Sequence, residues 1–171
     1  MASKSEIEDL VARANHNQLA DREFRRHLGG WLRDNRTAEP DGMPLYTFGL
    51  PDAVSSGFLS AFKEFDLSDA FTYRESGLIN GCAALGVLSS DGDDLQTWSR
   101  LGAGLERYLL RATRFEIRAS FFSQPIGSPG LRKELATMIN QRHPQLIFGL
   151  GYATPIKHTP RRPLEEVILK R

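Results

Sequence analysis

The segment Cys82–Phe122 reads CAALGVLSSDGDDLQTWSRLGAGLERYLLRATRFEIRASFF and holds, in order, a strand, a turn, a long helix and a second strand. Cys82 to Leu88 is a compact apolar run that stops at Ser89-Ser90-Asp91-Gly92, the pattern of a buried strand closed by a turn. Leu95, Trp98, Leu101, Leu105, Tyr108, Leu109 and Ala112 then recur three or four apart, with Asp93 or Asp94 as cap. Arg100, Arg107, Arg111 and Arg114 fall mostly on the other side, so this is an amphipathic helix. Gly102 and Gly104 lie inside it, each costing up to about 1 kcal/mol against alanine. A close backbone contact, within the fold or across a dimer, would give them a purpose; simple tolerance is the plain alternative.

Working outward, Ala119–Phe122 reads as a strand, Pro129–Ile139 as a helix with Leu131, Leu135, Met138 and Ile139 inward, and Gln145–Tyr152 as a third strand. Towards the start, Ser5-Glu6-Ile7-Glu8 has the spacing of a capping box ahead of Ile7, Leu10, Val11 and Ala14. Asp21 caps a second helix with Phe24, Leu28, Trp31 and Leu32 on its apolar side, and Arg22, Arg25, Arg26 and Arg33 largely elsewhere. Residues 36–80 show turn signals and short apolar pieces, the pattern of a lid or insertion. Pro155, Pro160 and Pro163 keep the end of the chain, 152–171, extended as far as Leu164-Glu165-Glu166-Val167. The expectation is one α+β domain over 1–171.

Composition narrows the function by exclusion. The 171 residues are 40% hydrophobic and carry 22 Lys+Arg against 21 Asp+Glu, a net charge of +1, so no global field draws the chain to nucleic acid or anionic lipid. Neither partner is expected. Cys82 is the single cysteine, which rules out an intramolecular disulfide and a multi-cysteine zinc site. His16, His27, His143 and His158 stand at no ligand spacing, so no metal is expected. No apolar run approaches the roughly 18 residues that span a bilayer, and a cytoplasmic protein is the expectation. Ser123, Ser128 and Cys82 sit in no nucleophile elbow. Gly149-Leu150-Gly151 is followed by a proline-rich tail where a dinucleotide fingerprint needs a helix start, and Asp91, Asp93 and Asp94 read as turn and cap residues.

Two segments remain as binding candidates. Lys157-His158-Thr159-Pro160-Arg161-Arg162 places two guanidiniums on a stiff stretch, able to present forked donors to a phosphate; a solvated basic tail is the bland alternative. Ser123-Gln124-Pro125-Ile126-Gly127 lies just past a strand end, where a glutamine amide can meet a planar heterocycle; otherwise it is a strand-to-helix turn.

Five segments together resemble the flavin mononucleotide (FMN)-dependent nitroreductases, most closely the C-terminal half of Acg-type nitroreductase-like proteins. They are Ala14–Trp31 (ANHNQLADREFRRHLGGW), Asp41-Gly42-Met43-Pro44, Val87–Trp98 (VLSSDGDDLQTW), Leu109–Pro125 (LLRATRFEIRASFFSQP) and His143–Val167 (HPQLIFGLGYATPIKHTPRRPLEEV). The resemblance covers nearly the whole chain, and specificity lies in the ordered combination. It implies a three-layer α+β sandwich with a small central sheet flanked by helices, a homodimer with flavin at its interface, and a C-terminal arm that crosses to the partner subunit. It further implies that Arg161 and Arg162 contact the flavin phosphate, that Gln124, Pro125, Ile126 and Gly127 lie beside the flavin ring, and that Asn15, Asn17 or Gln18 approaches the ring or ribityl chain. The implied reaction passes hydride from NADH or NADPH through FMN to a nitro compound, quinone or similar acceptor. The family's arginine-rich opening segment has no counterpart here; Arg13, Arg22, Arg25 and Arg26 do not match it. Loss of two charge-assisted contacts of about 1.5 to 3 kcal/mol each would weaken the phosphate grip by roughly one to four powers of ten. The rival expectation is a non-catalytic interaction or flavin-sequestering module, or a truncated remnant.

Overall fold

The computed structural model describes residues 2–168. In chain order these form α1 (Lys4–Ala20), α2 (Arg22–Trp31), β1 (Leu32–Arg33), β2 (Met43–Pro44), α3 (Asp52–Glu64), α4 (Ser68–Gly81), β3 (Ala84–Ser90), α5 (Leu95–Arg114), β4 (Arg118–Phe121), α6 (Pro129–Ile139), β5 (His143–Gly151) and α7 (Leu164–Val167). Single 3-10 turns cover Leu45–Phe48 and Gln124–Gly127. The architecture is mixed α+β, as expected. The chain divides into two compact units, one of residues up to Asn17 with Ser68–Ala153, the other of Gln18–Leu67 with the chain from Thr154 on.

The first unit is built on an antiparallel sheet in the order β3-β5-β4. One face carries the core: Ile7, Leu10, Val11 and Ala14 of α1, Ile79 of α4, Phe122, Leu131 and Leu135 of α6, and Ile147 of β5. The apolar face predicted for α1 is therefore the buried one. Its N-terminal cap is Ser3 with Glu6, two residues earlier than the pattern at Ser5 suggested: the Ser3 amide donates to Glu6 Oε2 at 2.7 Å and the Glu6 amide to Ser3 Oγ at 3.3 Å. Both pairs have the Ser-x-x-Glu spacing, and the helix takes the one that starts it two residues earlier. Glycine sets the closeness of the sheet: a Cβ at Gly149 would lie 2.2 Å from Cys82 Sγ, and one at Gly86 2.5 Å from the Phe148 ring.

α5 departs from expectation. Asp94 is its cap, accepting from the Thr97 amide, but none of its twenty residues is buried. Tyr108 meets Phe148 edge-on across the sheet at 5.7 Å, while Leu95 is 76% and Leu110 65% exposed. A Cβ at Gly102 or Gly104 would meet nothing within 4 Å, so no contact among the described residues explains either glycine. Asp93 is not a cap. It accepts from Arg132, from Gln145 Nε2 at 2.9 Å and from Trp98 Nε1 at 2.8 Å, and these donors, Arg132 foremost, hold its carboxyl far below the usual range.

In the second unit, α2 begins on Asp21, whose carboxylate accepts from the Glu23 amide at 2.8 Å. Arg25, expected largely off the apolar side of α2, is buried and donates to the Leu19 and Ala20 carbonyls that end α1. Those carbonyls lack intrahelical donors, and a guanidinium satisfies them. The stretch 36–80 proves to be mostly helical, through α3 and α4, because its turn signals at 39–42 and 50–52 precede α3 or open it rather than interrupt a helix.

Candidate functional site

Three polar side chains converge in the first unit. Asn15, on the inner face of α1, donates its Nδ2 to Glu75 Oε2 at 2.7 Å; Gln124, opening the turn after β4, donates its Nε2 to Glu75 Oε1 at 2.7 Å. Asn15 is 3% and Glu75 9% exposed. Burial pushes the Glu75 carboxyl up, and the two amides, Asn15 then Gln124, and the neighbouring Arg74 pull it back. Arg74 is itself half-buried, and desolvation lowers its pKa. Glu75 reaches this point because it stands one turn before the buried Ile79 on α4. A carboxylate thus occupies a core-facing position, where only its donors keep it from being an unpaired buried charge.

The turn carrying Gln124 is fixed from below. Ser123 Oγ accepts from the Ile147 amide at 3.2 Å, tying it to β5, and Pro125 is buried while Gly127 is exposed. Of the three polar residues singled out on α1, Asn15 shares Glu75 with Gln124; Asn17 is exposed, and Gln18 belongs to the second unit. Glu75 was missed by sequence reasoning. The available signal was its i,i+4 spacing to Ile79 within a stretch that reads poorly as a whole.

In the second unit the two arginines have partners within the fold. Arg162 donates from Nε at 2.8 Å and from Nη2 to Asp41 Oδ2, and Arg33 donates to Asp41 Oδ1 at 3.0 Å. These two guanidiniums, Arg162 first, hold the Asp41 carboxyl below its usual range. Arg161 turns back on Thr159 and on the Pro160 carbonyl at 2.9 Å. The arm lies along its own unit, with the Tyr46 hydroxyl donating to the His158 carbonyl at 3.0 Å and Lys157 Nζ 5.6 Å over the Tyr46 ring.

The donor set can be tested for its fit to FMN. At the Gln124–Gly127 turn the Gln124 amide donates to Glu75 and Pro125 is buried, which leaves Gly127 as the exposed residue. In the second unit, Arg33 and Arg162 share one carboxylate and keep one net positive charge, so an incoming phosphate would compete with Asp41. Among the described residues no group of three His, Cys, Asp or Glu side chains could hold a metal, and no helix is long and apolar enough to cross a membrane.

No protein-family model, curated protein or solved structure matches the chain.

Proposed function

We propose that the chain is an FMN-dependent oxidoreductase of the nitroreductase type, acting as a homodimer. The observation that carries this reading is the meeting of Asn15 and Gln124 on Glu75. These residues lie 109 positions apart, were assigned to the flavin by resemblance alone, and share one carboxylate. Bound FMN would accept hydride from NADH or NADPH and pass electrons to a nitro compound, quinone or similar acceptor. The chain's own part is positional. Glu75 fixes the Gln124 amide in one rotamer, and Pro125 and Ser123 fix the turn beneath it.

The dimer reading rests on single exposed apolar side chains of α5, Leu95, Trp98 and Leu110, on a helix with no buried residue. Titrating FMN against the wild type and Gln124→Ala, by flavin fluorescence, tests the ring-side assignment. The expected result is weaker binding in the variant, by about tenfold for one lost hydrogen bond. Equal affinity would remove Gln124 from the site.

A second reading, a non-catalytic interaction module, is favoured by the engagement of Arg162 with Asp41 and of Arg161 with its own turn. The two readings divide on Asp41→Asn. In a flavoprotein this variant frees Arg162 and strengthens FMN binding; in an interaction module it changes FMN binding not at all.

A further inference from the structure

The core face of the sheet runs out at one end. Alternate residues of a strand share a face, so Ser120 and Arg118 lie on the side of Phe122, and Gly149 and Gly151 on the side of Ile147. In register, Ser120 stands opposite Gly149 and Arg118 opposite Gly151. Phe122 and Ile147 belong to the core, whereas Ser120 and Arg118 have no side chain across from them. Beyond the core, this end of the face and the last turns of α4 border a cavity of about 260 Å³, lined wholly by the first unit. Sites for drug-sized molecules run from roughly 300 to 1,000 Å³, so this one suits a smaller guest.

Two glycines of α4 enlarge it. Gly77 and Gly81 stand one turn apart on the cavity wall, and Gly77, inside the helix, costs stability against alanine. Packing asks for neither, since a Cβ at either position would meet nothing within 4 Å. Gly149 differs, because the nearness of Cys82 Sγ requires it; what the missing side chains of Gly77 and Gly81 leave is the cavity itself. The wall they join carries one sign of charge. Arg118 is its only charged residue and makes no ion pair among the described residues. Ser120 and Tyr152 bring hydroxyls, while Leu78, Ala119 and Ala153 bring only carbon. Cys82 stays neutral there, because burial pushes its thiol up. A guest that matches this wall has an apolar body and one negative charge.

We propose that this cavity binds a small apolar monocarboxylate, with its carboxylate on Arg118 and its hydrocarbon body against Gly77, Gly81 and Leu78. A planar guanidinium presents parallel donors to a carboxylate, a match that the neutral carboxamide of the same acid lacks. Ser120 lies on the same face as Arg118, and Tyr152, 78% exposed, marks the open side. A phosphate ester carries more charge than one guanidinium balances, and the wall offers no second cation. The proposal stands apart from the flavin reading and shares none of its residues, so either can fail alone.

The test is titration of the isotope-labelled full chain with cyclohexanecarboxylate and, separately, with cyclohexanecarboxamide, followed by nuclear magnetic resonance. The backbone signals of Gly77, Gly81, Gly149 and Gly151, all on the cavity wall, report the site. The carboxylate should move these signals to saturation, and the carboxamide should bind at least about tenfold more weakly for want of a charge-assisted hydrogen bond. Arg118→Gln, at an exposed position, should weaken the carboxylate by the same factor and erase its preference over the carboxamide. Gly77→Leu fills the cavity with the side chain of a good helix former, so it should abolish binding while the urea midpoint holds or rises. Equal affinity for the acid and its carboxamide, a preference that survives Arg118→Gln, or binding that survives Gly77→Leu would overturn the proposal. So would unmoved glycine signals at about 10 mM carboxylate, a concentration that reveals even millimolar affinity.

Discussion

Glu75 is a carboxylate at a position where an aliphatic side chain would pack, and its pH behaviour follows from that. Burial raises its pKa in the folded chain above the roughly 4.3 of an unfolded glutamate. The folded state therefore holds the proton more tightly, so this group favours folding when protonated, and that advantage is lost as pH rises from about 4.3 through the folded value. Glu75→Gln carries no charge and lacks this dependence. We expect the stability of the variant relative to wild type, from urea unfolding between pH 4 and 8, to increase with pH; a difference that stays flat would show that Glu75 titrates as if exposed. Asp93, Asp41, Glu64 and Glu134 work in the opposite sense in both proteins, because partners lower their pKa values and their contribution is lost as pH falls through those values. At Gly149, alanine would place a methyl 2.2 Å from Cys82 Sγ and 2.9 Å from the Phe122 ring. Overpacking of this kind costs about 1 to 3 kcal/mol in a chemical melt, and Cys82→Ala in the same chain should recover part of it.

At the scale of elements, periodicity is a good guide to where helices and strands lie and to which side of α5 is the more covered, since Leu101, Leu105, Leu109 and Ala112 are half-buried while its arginines are exposed, but not to how deeply that side is buried. The heptad-like spacing from Leu95 to Ala112 places α5 correctly, yet the helix is nowhere buried, because spacing reports an apolar face and not the surface it meets. Arg25 shows the converse, a charge placed inward because helix-end carbonyls need donors, a demand that no hydropathy pattern displays. The segment 36–80 was illegible for a different reason: α4 mixes Ser68, Glu75 and Ile79 on its buried side, so its amphipathic signal cancels. If α5 is the dimer face, Leu110→Glu should convert the dimer to monomer in sedimentation velocity without loss of helical content. Gly102→Ala, with open space around its Cβ, should raise monomer stability by up to about 1 kcal/mol. A wild-type chain that sediments as a monomer would remove α5 from this role.

For the whole molecule, the candidate site was legible in parts. Asn15 and Gln124 were named from resemblance and meet in the structure, while the carboxylate that joins them lay in the least readable segment. The resemblance makes Arg161 and Arg162 phosphate contacts, and the structure adds an aspartate 121 positions away that holds Arg162. The measurement that bears most directly on the flavoprotein reading is the absorbance spectrum of the purified chain after addition of FMN and desalting, repeated for the double variant Arg161→Ala with Arg162→Ala. The account predicts a retained flavin band in the wild type that NADPH bleaches under anaerobic conditions, and a weaker band or none in the variant. A wild-type protein that stays colourless after reconstitution would contradict it.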